Sequence, residues 1–495
     1  MGCYAGLTID KMRALVISTK NQWSLSGEFM RNYVLLTGAT GLLGQYLVRD
    51  LLRDGHRVAV LIRATKKQTA EERLEQIMQM WERDGDTQLQ RPICLTGDLT
   101  SDNLGLSAEE LAWTTENCTT MMHCAASLEF AETKDGEPWR TNVEGTKNVL
   151  DLCKTADIRE MHYISTAYVC GKRENLVMED DLDVKQEFRN IYEKSKFTAE
   201  KSVRECDTFE KLTVYRPVVI TGDSKTGYTS TYHGTYLYMQ LASVLTRNTE
   251  PNEEGKYHIP VRWGLTGEER RNITAVDWNS EVICRLYNDP RAIGKTFHLG
   301  PSDPITMKDA INYASEYYGL TGIEFRGTGR QPDEPLNEME KRLWSAISIY
   351  GSYDFMDPQF DTTNLQELAG DIHCPKMDYE MARRLMDYAE EDRWGKRKKP
   401  VPVPAPFSLN EQLEKIAAEP ATDETPTDIG LDILGPGGGQ WTVSIAGDKI
   451  AGFRKGLAAS LAGTVSASAA EMKPVFSKSD AAATLLAKAL TPQTI

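Results

Sequence analysis

A glycine-rich loop between a buried strand and a helix constrains this 495-residue chain more than any other feature. Thr37-Gly38-Ala39-Thr40-Gly41-Leu42-Leu43-Gly44 follows the apolar run YVLLT and precedes a helical pattern of leucines. In such a loop Gly38 permits a tight turn, Gly41 lets the backbone approach a pyrophosphate, and Gly44 lets the helix pack on the sheet. The helix N-terminus adds free N–H groups and the positive end of its dipole. The loop therefore predicts a dinucleotide site formed by Thr37, Gly38, Thr40, Gly41, Leu42, Leu43 and Gly44.

Short apolar runs alternate with helical stretches beyond this loop. The predicted strands are residues 33–37, 57–62, 93–96, 120–124, 162–165 and 212–216. Continuous apolar runs of this length are typical of strands buried on both faces, and strand–helix alternation makes a parallel sheet. We therefore predict an α/β fold, a Rossmann-type doubly wound parallel sheet, with a smaller interwoven substrate domain beginning after residue 222.

Composition divides the rest of the chain. We expect residues 1–29 to be a loosely attached N-terminal extension and residues 30–395 to be the main α/β unit. Residues 396–407 (KRKKPVPVPAPF) are basic and proline-rich, as in a semi-rigid linker. Residues 408–495 are rich in Ala, Gly and Ser, and Trp441, Val443 and Ile445 alternate as in an amphipathic strand. We predict a small α+β C-terminal module there.

Charge and composition disfavour several classes of protein. A net charge of −15 argues against nucleic acid as a partner, and no apolar segment approaches the length of a membrane-spanning helix. Nine cysteines without a C-x-x-C pair are typical of a reducing compartment. Seven scattered histidines without ligand spacing predict no metal site. We expect a cytoplasmic protein with no nucleic-acid partner and no integral membrane segment.

The end of the second predicted strand indicates which dinucleotide binds. Arg63 stands there, followed by Lys66 and Lys67, where an NAD-binding site carries an acidic residue for the ribose 2′-hydroxyl. A guanidinium suits a 2′-phosphate, so the sequence favours NADPH (NADP). The next two strands add the candidate cofactor-binding residues Asp98, Leu99, Ala125 and Ala126.

A Tyr-x-x-x-Lys pair supplies the candidate chemistry. Tyr192 and Lys196 are four residues apart, on one face of a helix, and they follow a strand that ends in Ser165-Thr166. A lysine cation lowers the pKa of a nearby phenol, so Tyr192 can donate a proton to a carbonyl oxygen that receives hydride. Lys196 can also hold the nicotinamide ribose. A hydroxyl at the strand end can hydrogen-bond the same oxygen, and the residues alone do not distinguish Ser165 from Thr166.

In this order, the motifs resemble the extended short-chain dehydrogenase/reductase superfamily over roughly residues 30–390. Counting back from Gly171, the resemblance implies that Thr166 is the catalytic hydroxyl. It implies that Asn142 is the structural and proton-relay asparagine. It also implies that Arg216, Pro217 and Val219 lie at the cofactor.

Further segments are similar to the thioester-reductase and fatty-acyl-reductase branch, whose members reduce acyl thioesters of coenzyme A or carrier proteins. They are residues 190–196, 216–227, 276–278 and 297–299. The resemblance implies an NADPH-dependent reductase acting on a carbonyl or acyl thioester, presented as a small molecule or on coenzyme A or a carrier, with an apolar fatty-acyl or polyketide-like chain. The alternatives are a ketone or hydroxysteroid-type dehydrogenase, a sugar-nucleotide epimerase, and a silent nucleotide- or lipid-binding scaffold.

The C-terminal module carries a second, shorter resemblance. Residues 434–450 are similar to sterol-carrier-protein-like domains, which implies an apolar ligand in this module. A structural or dimerising module is the alternative.

Overall fold

The computed structural model describes residues 16–17, 32–83, 88–327, 335–347, 356–398, 402, 405, 408–416, 425–446, 449–458 and 460–476. Most of the predicted extension and most of the predicted linker lie outside these residues. The strands are β1 Val16–Ile17, β2 Tyr33–Thr37, β3 Arg57–Ile62, β4 Ile93–Thr96, β5 Cys118–His123, β6 Glu160–Ile164, β7 Lys211–Pro217, β8 Val219–Thr221, β9 Tyr257–Trp263, β10 Arg270–Arg271, β11 Ile273–Ala275, β12 Thr296–Leu299, β13 Ile305–Thr306, β14 Leu320–Phe325, β15 Thr427–Leu434, β16 Gly439–Ala446, β17 Lys449–Lys455 and β18 Thr464–Ser468. The helices are α1 Leu42–Arg53, α2 Ala70–Arg83, α3 Ala108–Asn117, α4 Gly145–Thr155, α5 Ile191–Glu205, α6 Thr235–Arg247, α7 Val276–Tyr287, α8 Met307–Tyr318, α9 Glu338–Ile347, α10 Thr363–Ala369, α11 Tyr379–Glu391, α12 Leu409–Ile416 and α13 Ala469–Phe476.

Seven parallel strands form the central sheet, in the order β12-β7-β6-β5-β2-β3-β4. Every residue of β2 is buried, because helices cover both faces of the sheet and an apolar run suits both environments. The strand order reverses between β2 and β5, and α/β sheets bind ligands at the carboxyl ends of strands where such a reversal occurs. The predicted α/β doubly wound parallel sheet is confirmed.

A second apolar core lies beside the sheet and forms the smaller domain. It joins α6, α8 and α11 to the parallel pair β9 and β14. The chain enters this core after β8, returns to the sheet through α7 and β12, and leaves again through α8. The smaller domain is therefore interwoven with the sheet domain.

The C-terminal module is a five-stranded sheet in the order β1-β18-β15-β16-β17, accompanied by α12 and α13. The predicted amphipathic strand lies within β16, which pairs antiparallel with β15 and β17. Two residues of the N-terminal extension join the same sheet, because Val16 pairs with Val465 and Ile17 with Thr464. These two residues tie the extension to the C-terminal module.

The C-terminal module contacts the central sheet at the amino ends of its strands. Tyr33, the first residue of β2, is fully buried, and its hydroxyl donates to Gln440 Oε1 at 2.7 Å and accepts from the Leu457 N–H at 2.9 Å. Trp113 donates its indole N–H to the Lys455 carbonyl oxygen at 2.8 Å. The glycine loop follows the carboxyl end of β2, so the module lies across the sheet from it, about 17 Å away for five strand residues.

Tyr33→Phe tests this interface. The substitution leaves Gln440 Oε1 and the Leu457 N–H without their buried partner, so we expect the free energy of unfolding to fall by about 2 kcal/mol. Urea denaturation measures this change. Tyr313→Phe, at a half-buried tyrosine of the second core, is the matched control and should change the free energy by less than about 0.5 kcal/mol. Equal stability of both variants would contradict the docked arrangement.

Candidate active site

One cavity of about 1000 Å³ extends from the carboxyl edge of the central sheet into the second core. Its lining includes the predicted site residues Thr37, Gly38, Thr40, Gly41, Leu42, Leu43, Gly44, Arg63, Asp98, Leu99, Ala125, Ala126, Thr166, Tyr192, Lys196, Pro217 and Val219. Lys66, Asn142 and Arg216 do not line this cavity. The structure therefore brings the glycine loop and the Tyr-x-x-x-Lys pair into one space.

The glycine loop is a close-fitting cradle. Gly38 has a φ of +79°, and a Cβ added there would lie 2.6 Å from the Ala125 backbone nitrogen. A Cβ on Gly44 would lie 2.0 Å from the Gly38 carbonyl oxygen. Helix α1 starts directly after Gly41, which supplies no side-chain cap, so backbone N–H groups of the first turn are left for a ligand. The loop thus fits the pyrophosphate of a dinucleotide.

Two guanidinium groups stand at the end of β3. Arg63 is exposed and lies 3.4 Å from Asp98. Arg73, from α2, donates to Thr40 Oγ1 at 3.1 Å and to the Arg63 carbonyl oxygen. Burial and the neighbouring Arg63 charge lower the pKa of Arg73, so an anion bound beside both would relieve their repulsion. Sequence reasoning did not find Arg73, because an arginine on a polar helix resembles an ordinary solvated residue. Lys66 is exposed outside the cavity.

Arg216 lies behind the cavity wall and does not line the cavity. It is fully buried and binds Glu200 of α5 through two bonds, NH2 to Oε1 at 2.7 Å and Nε to Oε2 at 3.1 Å. Successive strand residues face opposite sides of a sheet, which separates Arg216 from its neighbour Pro217 on the cavity side. Arg216 therefore joins the strand to the helix that carries the Tyr-x-x-x-Lys pair.

Asn142 also lies outside the cavity lining, in the π-helical turn Arg140–Glu144. Its side-chain amide donates to Ser195 Oγ at 2.9 Å and to the Ser127 carbonyl oxygen at 3.0 Å, and its Oδ1 accepts from the Ser127 N–H at 2.8 Å. Asn142 thereby connects the loop after β5 to α5. The structure shows these positioning contacts for Asn142.

Thr166, Tyr192 and Lys196 meet at the centre of the cavity. Tyr192 is hydrogen-bonded to the Thr166 side chain, and Lys196 Nζ donates to the Ile164 carbonyl oxygen at 2.9 Å and to the Tyr163 hydroxyl at 3.1 Å. Burial lowers the pKa of Lys196 to about 8. Burial also raises the pKa of Tyr192 to about 12, although the bond to Thr166 opposes this rise. The sequence-based expectation of a lowered phenol pKa thus differs from the structure, because burial dominates the pKa of Tyr192 and the Lys196 ammonium is bonded to Tyr163 instead. The phenol is protonated at neutral pH.

Apolar side chains line the part of the cavity that lies in the second core. They include Tyr236, Met239, Ala242, Ile259, Val261, Trp263, Met307, Ala310, Ile311, Ala314, Leu320 and Ile323. Alternate residues of β9 and residues at helical spacing on α8 face this space, as the periods of strand and helix require. From Met307 to Ala314 the α8 wall is about 10 Å long. The cavity can therefore accept an extended apolar group beside Thr166, Tyr192 and Lys196.

Among the described residues, neither a metal-binding cluster nor a reactive cysteine adds to this site. No group of three His, Cys, Asp or Glu side chains is placed there to hold a metal ion. Cys124 lines the cavity, but burial raises the pKa of its thiol to about 12, so it is not a thiolate nucleophile at neutral pH. None of the described helices is both long enough and apolar enough to span a bilayer.

Comparison with known proteins gives this fold and site a family. Residues 36–282 match the model of an NAD-binding family described as male sterility protein. This match confirms the resemblance of the region to the extended short-chain dehydrogenases/reductases and, within them, to the branch of thioester reductases and fatty-acyl reductases.

Individual relatives agree with this assignment. The aldehyde reductase lnaA of Aspergillus flavus is 25% identical in an alignment of 395 positions that covers 72% of this chain and 36% of that protein. The putative fatty acyl-CoA reductase CG8306 of Drosophila melanogaster is 32% identical over 146 residues, 28% of each chain. The terminal R domain of the myxalamid PKS-NRPS pathway has the same fold, with a TM-score of 0.57 and 23% identity over 79% of this chain and 99% of that one. The chain thus spans about a third or less of the length of the curated relatives it matches.

Gly44→Ala tests the cradle. The added methyl group would overlap the Gly38 carbonyl oxygen, so the loop must move, and a shift of roughly 1 Å costs about 100-fold at a positioned site. We expect dinucleotide affinity, followed by the fluorescence of bound NADPH, to fall by that factor. Gly452→Ala is the control, because a Cβ there meets no atom within 4 Å. Unchanged affinity in Gly44→Ala would show that the dinucleotide binds elsewhere.

Proposed function

We propose that this chain is an NADPH-dependent reductase that transfers hydride to a carbonyl or acyl thioester of an apolar, fatty-acyl or polyketide-like substrate. One observation carries the proposal: the glycine loop, the Thr166–Tyr192–Lys196 group and an apolar lobe line the same cavity. A dinucleotide cradle alone would suit many proteins. A cradle that shares one cavity with a proton donor and an apolar lobe is suited to the reduction of an apolar carbonyl compound.

The cations at the end of β3 favour NADPH over NADH. Arg63 and Arg73 both line the cavity near the glycine loop, and a guanidinium binds a phosphate such as the 2′-phosphate of NADPH through two parallel hydrogen bonds. Asp98 accepts from Arg63 and can hold its side chain toward the cavity. When bound, NADPH supplies the hydride.

The side chains at the centre of the cavity supply the proton and the positive charge. Tyr192 is protonated at neutral pH and donates its proton to the substrate oxygen as that oxygen becomes negative. Thr166 orients the same oxygen through its hydroxyl. The Lys196 ammonium stabilises the phenolate that Tyr192 becomes, and it holds the nicotinamide ribose. This division of roles uses a hydrogen-bond donor, an acid and a cation.

The apolar lobe favours a substrate with a long hydrocarbon or polyketide part. Burying each methylene is worth about 0.8 kcal/mol, so a wall about 10 Å long can bind several carbons strongly. Two relatives are named for reduction of fatty acyl-CoA and of aldehydes. We propose the same class of substrate for this chain: an acyl thioester of coenzyme A or of a carrier protein, or the aldehyde derived from it.

Arg63→Gln and Arg73→Gln test the choice of cofactor. Each substitution removes a charged partner of the 2′-phosphate, so the dissociation constant of NADPH should rise about tenfold or more, while that of NADH changes little. Titration of both dinucleotides measures the ratio. Lys66→Gln removes a nearby cation that does not line the cavity and should leave both constants unchanged. An equal loss for NADPH and NADH would mean that the arginines only support the loop.

Tyr192→Phe tests the chemistry. The variant should lose turnover by about 100-fold or more, because the acid is gone, and should keep NADPH binding nearly intact. NADPH oxidation is followed with acyl-CoA thioesters, aldehydes, ketosteroids and nucleotide sugars. Activity on thioesters or aldehydes supports the proposal. Activity confined to ketosteroids or nucleotide sugars would favour the dehydrogenase or epimerase alternative, and retained turnover would remove Tyr192 as the acid.

A further inference from the structure

A set of buried polar side chains lies behind Lys196, away from the cavity. The first is Tyr163 of β6, whose hydroxyl accepts from the Lys196 ammonium at 3.1 Å. The ammonium also lies 4.7 Å from the centroid of the Tyr163 ring and donates to the Ile164 carbonyl oxygen. Tyr163 is fully buried and does not line the cavity, so it meets the catalytic lysine from behind.

This set continues through Thr146 and His123 to Thr37. Burial raises the pKa of the Tyr163 hydroxyl, and the nearby Thr146 side chain opposes this rise. Thr146 Oγ1 lies 3.1 Å from His123 Nε2, and His123 Nδ1 lies 2.6 Å from Thr37 Oγ1. Each of these four side chains is at most 1% exposed. Because Thr37 begins the glycine loop, the set connects the dinucleotide cradle to the lysine.

The count of available protons sets the direction of each bond. Thr146 donates its single hydroxyl proton to the Asn142 carbonyl oxygen at 2.6 Å, so it can only accept from its other neighbours. Burial, with a smaller effect of the Lys196 charge, lowers the pKa of His123 to about 3, so its ring is neutral and carries one N–H. That N–H is on Nε2 and donates to Thr146. Thr146 Oγ1 is thus open to the Tyr163 hydroxyl only as an acceptor.

Lys196 therefore faces two acceptors, the Tyr163 oxygen and the Ile164 carbonyl oxygen. An ammonium ion makes both hydrogen bonds more strongly than a neutral amine does, because a charged donor roughly doubles the strength of a hydrogen bond. We propose that Tyr163 is a positioning residue that keeps Lys196 in place as an ammonium ion behind the catalytic tyrosine. This inference rests on the proposed function, in which that charge is needed, and adds a residue outside the cavity that maintains it.

The other groups around Lys196 do not replace this contact. Glu200 lies one turn further along α5 and favours the ammonium, but its own charge is shared with Arg216. Cys124 on the β5 side is a protonated thiol, because burial raises its pKa to about 12. His123 is neutral, and Tyr192 is protonated. The Tyr163 hydroxyl is thus the side-chain acceptor in contact with the ammonium.

Tyr163→Phe removes the hydroxyl and keeps the ring. Loss of a hydrogen bond to a charged group should lower the Lys196 pKa by about one unit. Activity needs the ammonium, which is present below that pKa and lost as pH rises through it. The decline of kcat/KM at high pH should therefore begin about one unit lower than in the wild type. The ¹³Cε resonance of Lys196, assigned by its absence from Lys196→Met, reports the same titration without any turnover.

Three variants separate positioning from general damage to the fold. Tyr215→Phe removes an equally buried hydroxyl from the neighbouring strand, where it lies 2.9 Å from His162 Nδ1, and should leave the Lys196 titration at its wild-type position. Thr146→Val removes the acceptor of the Tyr163 proton and should move the titration in the same direction as Tyr163→Phe. Thr146→Ser keeps the hydroxyl and should retain the wild-type titration. This pair also tests the inference if Tyr163→Phe does not fold.

These measurements distinguish a failure of the role of Tyr163 from a failure of the proposed function. An unshifted Lys196 titration in folded Tyr163→Phe, or equal titrations in Thr146→Val and Thr146→Ser, overturns the role of Tyr163. A shifted ¹³Cε titration supports that role even if Tyr192→Phe keeps its turnover. In that case it is the acid of the proposed function that fails.

Discussion

The buried ion pair between Arg216 and Glu200 joins the elements that carry Thr166, Tyr192 and Lys196. Glu200 is one helical turn beyond Lys196, and it also accepts from Ser165 Oγ at 2.6 Å, at the end of the strand that leads into Thr166. Burial alone raises the pKa of Glu200, but the contacts with Arg216 and Ser165 outweigh this effect, and the pKa is about 2. Removing one partner of such a pair costs roughly 3–5 kcal/mol. One carboxylate thus connects a helix and two strands around Thr166, Tyr192 and Lys196.

Much of the central sheet follows directly from the sequence. The predicted bounds of β2, β3 and β4 are the observed ones, because these runs are apolar along nearly their whole length. Strands β5 and β6 begin two residues earlier than predicted. Polar residues at the amino ends of the strands extend the hydrogen-bonded ladder. Glu160 pairs with Lys211 in register and forms a salt bridge of 3.1 Å with it. Alternation of apolar residues does not reveal such paired charges.

The candidate site was predictable where a motif fixes both a residue and its direction. The glycine loop and the Tyr-x-x-x-Lys pair lie on the cavity because a strand-to-helix turn and one helix face leave no other orientation. Arg216 and Arg73 show the limit. The motif Arg216-Pro217 predicts that Arg216 lies at the cofactor. The side of the strand that Arg216 faces, however, depends on its partner Glu200, 16 residues away. Arg73 becomes a neighbour of Arg63 only when α2 folds back over β3, and Tyr163 is hidden inside an apolar run.

The way the chain divides itself between the two apolar cores has a mechanical consequence. The substrate part is joined to the sheet at several places, since the backbone passes from one core to the other after β8, before α7, after β12 and again around α10. A hinge needs a few residues that absorb all of the rotation, and here the connections would have to rotate together. Opening of this lobe should therefore proceed by small sliding of packed helices. Such a pocket selects its ligand by a shape that is already formed before binding.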